Sequence, residues 1–245
     1  MDKYTDIKKK IKVLLVDPRH NSVGAHSNYI PIGIGYIGAY IKKSFEHISL
    51  ELKLETDAEK IFTLIDIWKP DVVGSSNYIW NSSLSNFICE YAKKQNPNIL
   101  CVLGGPEFPA GTGQRKIENN LENKTYDKCL KYLIKRPAVD YYTYTDGENA
   151  LVQVFKKFLE SNLSLKLMKD KNEPIGGCAS LSRNKDKLLV GEYLFRIGTD
   201  GPLKNERRDI IPSPYTSGLL DKFLDGKFVP AFETAKGCPF TCTFC

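Results

Sequence analysis

Cys238, Cys242 and Cys245 close the sequence in the spacing C-x3-C-x2-C. Thiolates are soft ligands that take iron–sulfur clusters, zinc or copper(I), and cysteines this close together converge on one metal centre. A four-iron cluster held by only three cysteines keeps one iron without a protein ligand. A small molecule could bind that iron and receive an electron. Structural zinc takes four closed ligands, so a zinc knuckle would need a distant fourth. The spacing alone leaves both chemistries open. Ahead of it, residues 228–234 read as a short strand, and Ala235-Lys236-Gly237 as the loop that carries the ligands.

A second group of residues has the chemistry of a ligand cradle rather than of catalysis. Ser75-Ser76-Asn77, Gly104-Gly105-Pro106-Glu107 and Gly147-Glu148 each follow a short apolar run. Small residues let a bulky ligand approach backbone amides, and hydroxyls can bond its polar edges. Ordinary strand-to-helix turns also favour Ser, Asn and Gly, so turn chemistry accounts for the same pattern equally well. Gly33, Gly35 and Gly38 spell G-x-G-x-x-G. They fall within a helical stretch, well after the strand, and so cannot form a dinucleotide phosphate loop.

These groups must be positioned by regular elements, and the chain supplies them in alternation. Apolar runs at 11–16, 49–54, 71–77, 99–103 and 139–144 read as strands. Periodic stretches at 31–43, 58–68, 83–94 and 150–159 read as helices, with an amphipathic piece at 129–134. Strands alternating with helices predict a parallel sheet covered on both faces, an α/β Rossmann-like (flavodoxin-like) fold. In such sheets ligands bind beyond the carboxyl ends of the strands, where the strand order reverses. Residues 175–183 and 187–192 read as a hairpin around Asn184-Lys185-Asp186. The expected organisation is a first domain over 1–160, a linker with a small β element over 161–226, and a cluster-bearing unit over 227–245.

Composition narrows the class. The chain has 245 residues, of which 42% are hydrophobic, enough for a substantial core. No apolar run is long enough to span a membrane, and the lysine-rich start has no signal-peptide core, so a cytoplasmic protein is expected. An odd count of seven cysteines fits a reducing compartment better than a disulfide framework. The net charge of +6 is spread along the chain, and Lys8-Lys9-Lys10 reads as a solvated tail, so neither nucleic acid nor membrane is an expected partner.

The strand, the loop, the three cysteines and the aromatic Phe244 resemble the radical S-adenosylmethionine (radical SAM) superfamily. The first strand, the polar loop, the Pro-x-Gly-x-Gly-Tyr helix, Asp-Val-Val-Gly-x-Ser and Leu-Gly-Gly-Pro-Glu resemble the cobalamin-binding domain that precedes the SAM barrel in cobalamin-dependent members. That resemblance covers roughly residues 11–160. It implies a [4Fe–4S] cluster on Cys238, Cys242 and Cys245, with SAM on its open iron and Phe244 beside the adenine. It also implies cobalamin along Ser75, Ser76, Asn77, Gly104, Gly105, Pro106, Glu107, Gly147 and Glu148. The activity implied is methyl transfer to an unactivated carbon through a SAM-derived radical and methylcobalamin. A cyclisation or rearrangement in the same family, or a corrinoid-binding module without catalysis, are the alternatives. A small-molecule or peptide substrate and an electron donor such as flavodoxin or ferredoxin would be the partners.

A complete (β/α) barrel takes roughly 200–250 residues, so the sequence is expected to be the N-terminal part of such an enzyme, with only the start of its barrel. One class of cobalamin proteins ligates cobalt from below through D-x-H-x-x-G. Here Asp17 is followed by His20 after one residue too many and by Gly24 later still, and His26 has no matching aspartate. The offset moves the ring by up to roughly 3.5 Å, whereas metal distances tolerate about 0.2 Å. Cobalt without a protein histidine is therefore expected.

Overall fold

The computed structural model describes residues 9–20, 28–110, 124–194, 197 and 210–233. Cys238, Cys242, Phe244, Cys245 and His26 lie outside the described residues.

The run Ile11-Lys12-Val13-Leu14-Leu15-Val16 forms β1 (Ile11–Arg19). It is flanked in parallel by β2 (Leu50–Asp57) and β3 (Val72–Ser76), followed by β4 (Leu100–Gly104) and β5 (Tyr141–Thr143). The order β2-β1-β3-β4-β5 is the flavodoxin-like one, with its reversal between β1 and β3. The short apolar runs behave as buried central strands do, with alternate residues feeding opposite faces. Leu14 and Val16 pack with α2 (Ala58–Thr63), α3 (Ser82–Gln95) and α4 (Lys124–Ile134), through Ile61, Ile88 and Leu133. Val13 and Leu15 pack instead with α1 (Ile32–Ser44) and α5 (Gly147–Leu159), through Ile34, Val154 and Phe155.

The elements up to residue 194 fall where the periodicity places them, with three differences, and the strand expected over 228–234 is, in its described part, a single bridge at Val229. The helix expected over 58–68 is α-helical only to Thr63, where Leu64–Trp68 widens into a π-turn. That turn closes on Lys69, whose φ of 54° is left-handed, directly before Pro70. A further short helix, α6 (Leu165–Asp170), is capped by the Ser164 hydroxyl accepting from the Leu167 amide. Finally, the expected hairpin, β6 (Cys178–Leu181) and β7 (Leu188–Val190), joins the main sheet. It pairs antiparallel to β5, giving seven strands in all. An antiparallel hairpin there covers the edge that β5 would otherwise leave with unpaired backbone groups.

Residues 213–232 return across α1 as a strap. Leu220 and Phe223 are buried in the same core as α1 and α5, and Lys222 pairs with Glu55 at 2.8 Å. Burial alone would raise the Glu55 pKa, but Lys222 and the Thr56 and Asp57 amides together hold it below its usual value. A lowered folded pKa stabilises above the ordinary carboxylate range, and that contribution is lost as pH falls through the lowered value.

Candidate functional site

Two adjoining hollows open at the carboxyl ends of the strands, on either side of the β1/β3 reversal. The outer one encloses about 530 Å³, between the end of β1 (Asp17, Arg19, His20), the entry to α1 (residues 29–34) and Ser76, Tyr78 and Trp80 beyond β3. The inner one, about 190 Å³, runs between α1 and α5 over Ser75, Gly104, Gly105 and Thr143. Gly33, Ile34, Ser76 and Tyr78 line both, so the two form one continuous groove. Together they have the size of a pocket for a cofactor or drug-sized ligand.

The parallel register builds the floor. Ser76 stands beside Gly104, and Gly104 beside Thr143. A Cβ on Gly104 would come within 2.2 Å of the Thr143 hydroxyl. Gly105 has φ +139°, and a Cβ there would meet the Asn77 carbonyl oxygen at 2.4 Å. Gly105 is thus required by its backbone and its neighbour, whereas at Gly104 the Thr143 hydroxyl would have to turn away. Gly105→Ala should destabilise the chain by roughly 1–3 kcal/mol, from positive φ and the backbone clash together. Denaturant melting would check it, and an unchanged midpoint would contradict this account of the turn. Gly33 is the opposite case: nothing lies within 4 Å of where its Cβ would be.

A polar network organises the mouth. Asp17 accepts the Ser76 hydroxyl at 2.5 Å on one carboxylate oxygen and the Arg19 guanidinium at 3.1 Å on the other. Asn81 holds the loop after β3, donating to the Pro18 carbonyl and the Ser76 hydroxyl and accepting from the Tyr78 amide. Burial, and secondarily the Asp17 charge, raise the Tyr78 pKa, so its phenol stays protonated. Tyr78 and Trp80 stack with ring centroids 4.5 Å apart, and Trp80 is 65% exposed. The His20 Nε2 is 3.0 Å from the Trp80 carbonyl. A carbonyl only accepts, so Nε2 is the donor in this bond.

The residues expected at the site divide into two groups. Ser75, Ser76, Gly104, Gly105 and Gly147 line the groove. Asn77 is fully buried behind it and donates to the Tyr132 and Tyr142 hydroxyls, while Tyr142 donates on to the Gly105 carbonyl. It shapes the Gly105 turn from beneath. Pro106 is exposed, and Glu107 is half-buried with its amide on the Asn77 carbonyl. Glu148 is buried in the first turn of α5. Sequence reasoning missed the walls formed by Arg19, Tyr29, Gly33, Tyr78 and Trp80. The one local signal was Tyr78-Ile79-Trp80, an apolar triplet in a loop that should be polar.

Residues 23–116 match the B12 binding domain family, a span that holds the α1 wall, the β3 loop and the glycines after β4. The chain is 27% identical over 190 residues to the cobalamin-dependent radical SAM methyltransferase TokK of Streptomyces tokunonensis, covering 73% of this chain and 22% of that protein. It is 26% identical over 190 residues to the 2-(S-pantetheinyl)-carbapenam-3-carboxylate methyltransferase of Streptantibioticus cattleyicolor, with the same 73% and 22% coverage. Against the anaerobic magnesium-protoporphyrin IX monomethyl ester cyclase of Rubrivivax gelatinosus it is 26% identical over 250 residues, covering 96% of this chain and 38% of the relative. The chain therefore spans between about a fifth and two fifths of the length of these curated relatives.

Proposed function

We propose that this chain, whose residues 23–116 match the B12 binding domain family and which is similar to cobalamin-dependent radical SAM methyltransferases, seats cobalamin for a radical SAM enzyme that methylates an unactivated carbon. The observation that carries the cofactor assignment is the groove at the strand-order reversal, most of whose lining between residues 29 and 105 falls in the span that matches the B12 binding domain. Its walls suit a broad, flat macrocycle fringed with amides. Gly33 leaves one wall bare, Gly104 and Gly105 expose backbone, and Asp17, Arg19 and Ser76 offer polar partners at the mouth. The inner hollow between α1 and α5 is sized for a narrow appendage such as the cofactor's nucleotide tail. Cobalamin would supply a cobalt-carried methyl group, and the cluster with SAM a carbon-centred radical.

The cluster would be held by Cys238, Cys242 and Cys245, with Phe244 beside the adenine of SAM. Three thiolates are the donor set that leaves one iron open. The chain's own contribution is positional: it keeps both cofactors in place and water away from reactive carbon. A flavodoxin or ferredoxin would deliver the electron, and a small molecule or peptide would be the substrate. The described Cys89, Cys101, Cys129 and Cys178 are all free and buried, which supports a reducing, cytoplasmic setting. Among the described residues no helix is long and apolar enough to cross a membrane.

The second reading, a ring cyclisation, is favoured by the cyclase relative, which matches over 96% of this chain. The two separate without knowledge of the substrate. The protein, loaded with cobalamin and given a reductant and SAM, should release S-adenosylhomocysteine only when cobalamin is present. Cobalamin that binds without any such release would favour the cyclase.

A further inference from the structure

The wall of the outer hollow at residues 28–30 is held by the far end of the strap. Tyr29 and Val229 form an isolated parallel bridge. The Ile30 amide donates to the Val229 carbonyl at 3.0 Å, and the Val229 amide to the Asn28 carbonyl at 2.6 Å. A second link runs from the mouth, because Arg19, which lines the hollow and pairs with Asp17, sits 5.5 Å from the Phe228 ring.

The strap is itself fastened away from the hollow. Tyr215 makes two hydrogen bonds to one residue, donating to the Ala231 carbonyl at 2.6 Å and accepting from the Ala231 amide at 3.2 Å. Its ring stacks on Phe232 at 5.3 Å, and Phe223 meets Phe228 edge to face at 5.2 Å. On α1, a Cβ at Gly35 would lie 3.0 Å from Pro214 and 3.1 Å from Leu220, and one at Gly38 3.3 Å from Leu219. The three glycines of G-x-G-x-x-G thus serve two sides of one helix: Gly33 bares the groove, and Gly35 and Gly38 admit the strap.

We propose that strap docking and cobalamin seating are one coupled equilibrium, with Tyr215 as its positioning residue. The docked strap supplies the backbone partners that fix residues 28–30 as a wall. Tyr215 fixes the strap without lining either hollow. A ligand that needs the wall therefore favours the docked strap, and by linkage the docked strap raises the affinity for that ligand to the same degree. The inference rests on the cobalamin reading of the groove.

The test uses the 245-residue chain and hydroxocobalamin, with affinity followed by equilibrium dialysis and strap docking by trypsin cleavage after the exposed Lys222 and Lys227. Hydroxocobalamin should slow both cleavages in the unsubstituted chain. Tyr215→Phe keeps the ring stack and loses the hydroxyl. It should speed cleavage and weaken hydroxocobalamin about tenfold, the ratio expected if the docked fraction falls to about a tenth. Lys222→Gln, which loses the Glu55 pair, should weaken binding about threefold by the same route and serves if Tyr215→Phe does not fold. For that variant, protection is read at Lys227 alone. Tyr91→Phe, on the opposite face where Tyr91 donates to Asp66, should change neither readout. If the unsubstituted chain binds while the strap variants keep full affinity and full protection, the coupling is overturned and the cobalamin reading stands. If the unsubstituted chain binds no hydroxocobalamin, both fall together.

Discussion

Gly33→Phe should weaken hydroxocobalamin binding on the order of a hundredfold while leaving the fold intact. A side chain at this position projects into both hollows, and overfilling a packed contact costs about 1–3 kcal/mol, in which each 1.4 kcal/mol is tenfold in affinity. The fold has no reason to object. Nothing lies within 4 Å of the added Cβ, and replacing glycine inside a helix removes a penalty of up to about 1 kcal/mol. The melting temperature should hold or rise slightly. That separates this position from Gly104 and Gly105, where the same bulk would strike Thr143 and the Asn77 backbone. Equilibrium dialysis with a parallel thermal melt checks it. Undiminished binding in a folded Gly33→Phe chain would move the cofactor out of the groove.

The second large effect is expected at the cysteines. After anaerobic reconstitution with iron and sulfide, Cys238→Ala, Cys242→Ala and Cys245→Ala should each lose cluster iron by roughly tenfold or more, since even altering a ligand's supporting partner commonly costs 10–100-fold. Cys129→Ala and Cys178→Ala should lose none. The ligating species is the thiolate, and burial works against it at both positions, pushing Cys129 up to about 12 and Cys178 well up. Cys101 is raised as well, by its hydrogen bond with Cys89 and by burial. Metal analysis alongside the visible sulfide-to-iron absorption gives the answer. Stoichiometric zinc without sulfide would replace the cluster with a knuckle, and with it the radical chemistry.

The sheet was readable because its determinants are local. Runs such as Val13-Leu14-Leu15-Val16 and Leu100-Cys101-Val102-Leu103 announce buried strands, and Pro31, Pro70 and Pro97 mark the helix limits. The groove's inner floor was readable for the same reason, as small residues following each strand. Its outer wall was not. Residues 28–30 become a wall only through Val229, a partner 200 positions away, and no window of sequence contains both. Gly35 and Gly38 likewise show their purpose only once Pro214, Leu219 and Leu220 are folded back onto α1. Asn77 illustrates the reverse error. A polar residue at a strand end looks ligand-facing, yet its amide serves two buried tyrosines that the pattern could not place beside it.

The pairing of Tyr29 with Val229 also sets an order in time during synthesis. The hydrogen-bonded sheet is complete once the ribosome has added Val190, the last residue of β7. The pocket wall has to wait for Val229. At about 5–20 residues per second, an N-terminal unit of this kind exists for roughly 2–8 s as a finished sheet with an unfinished pocket. Val229 then arrives immediately ahead of the first of the three cysteines, Cys238. A nascent chain halted before codon 229 should therefore be folded yet poor at retaining the corrinoid, and one released just past it should hold the corrinoid before any iron can be bound.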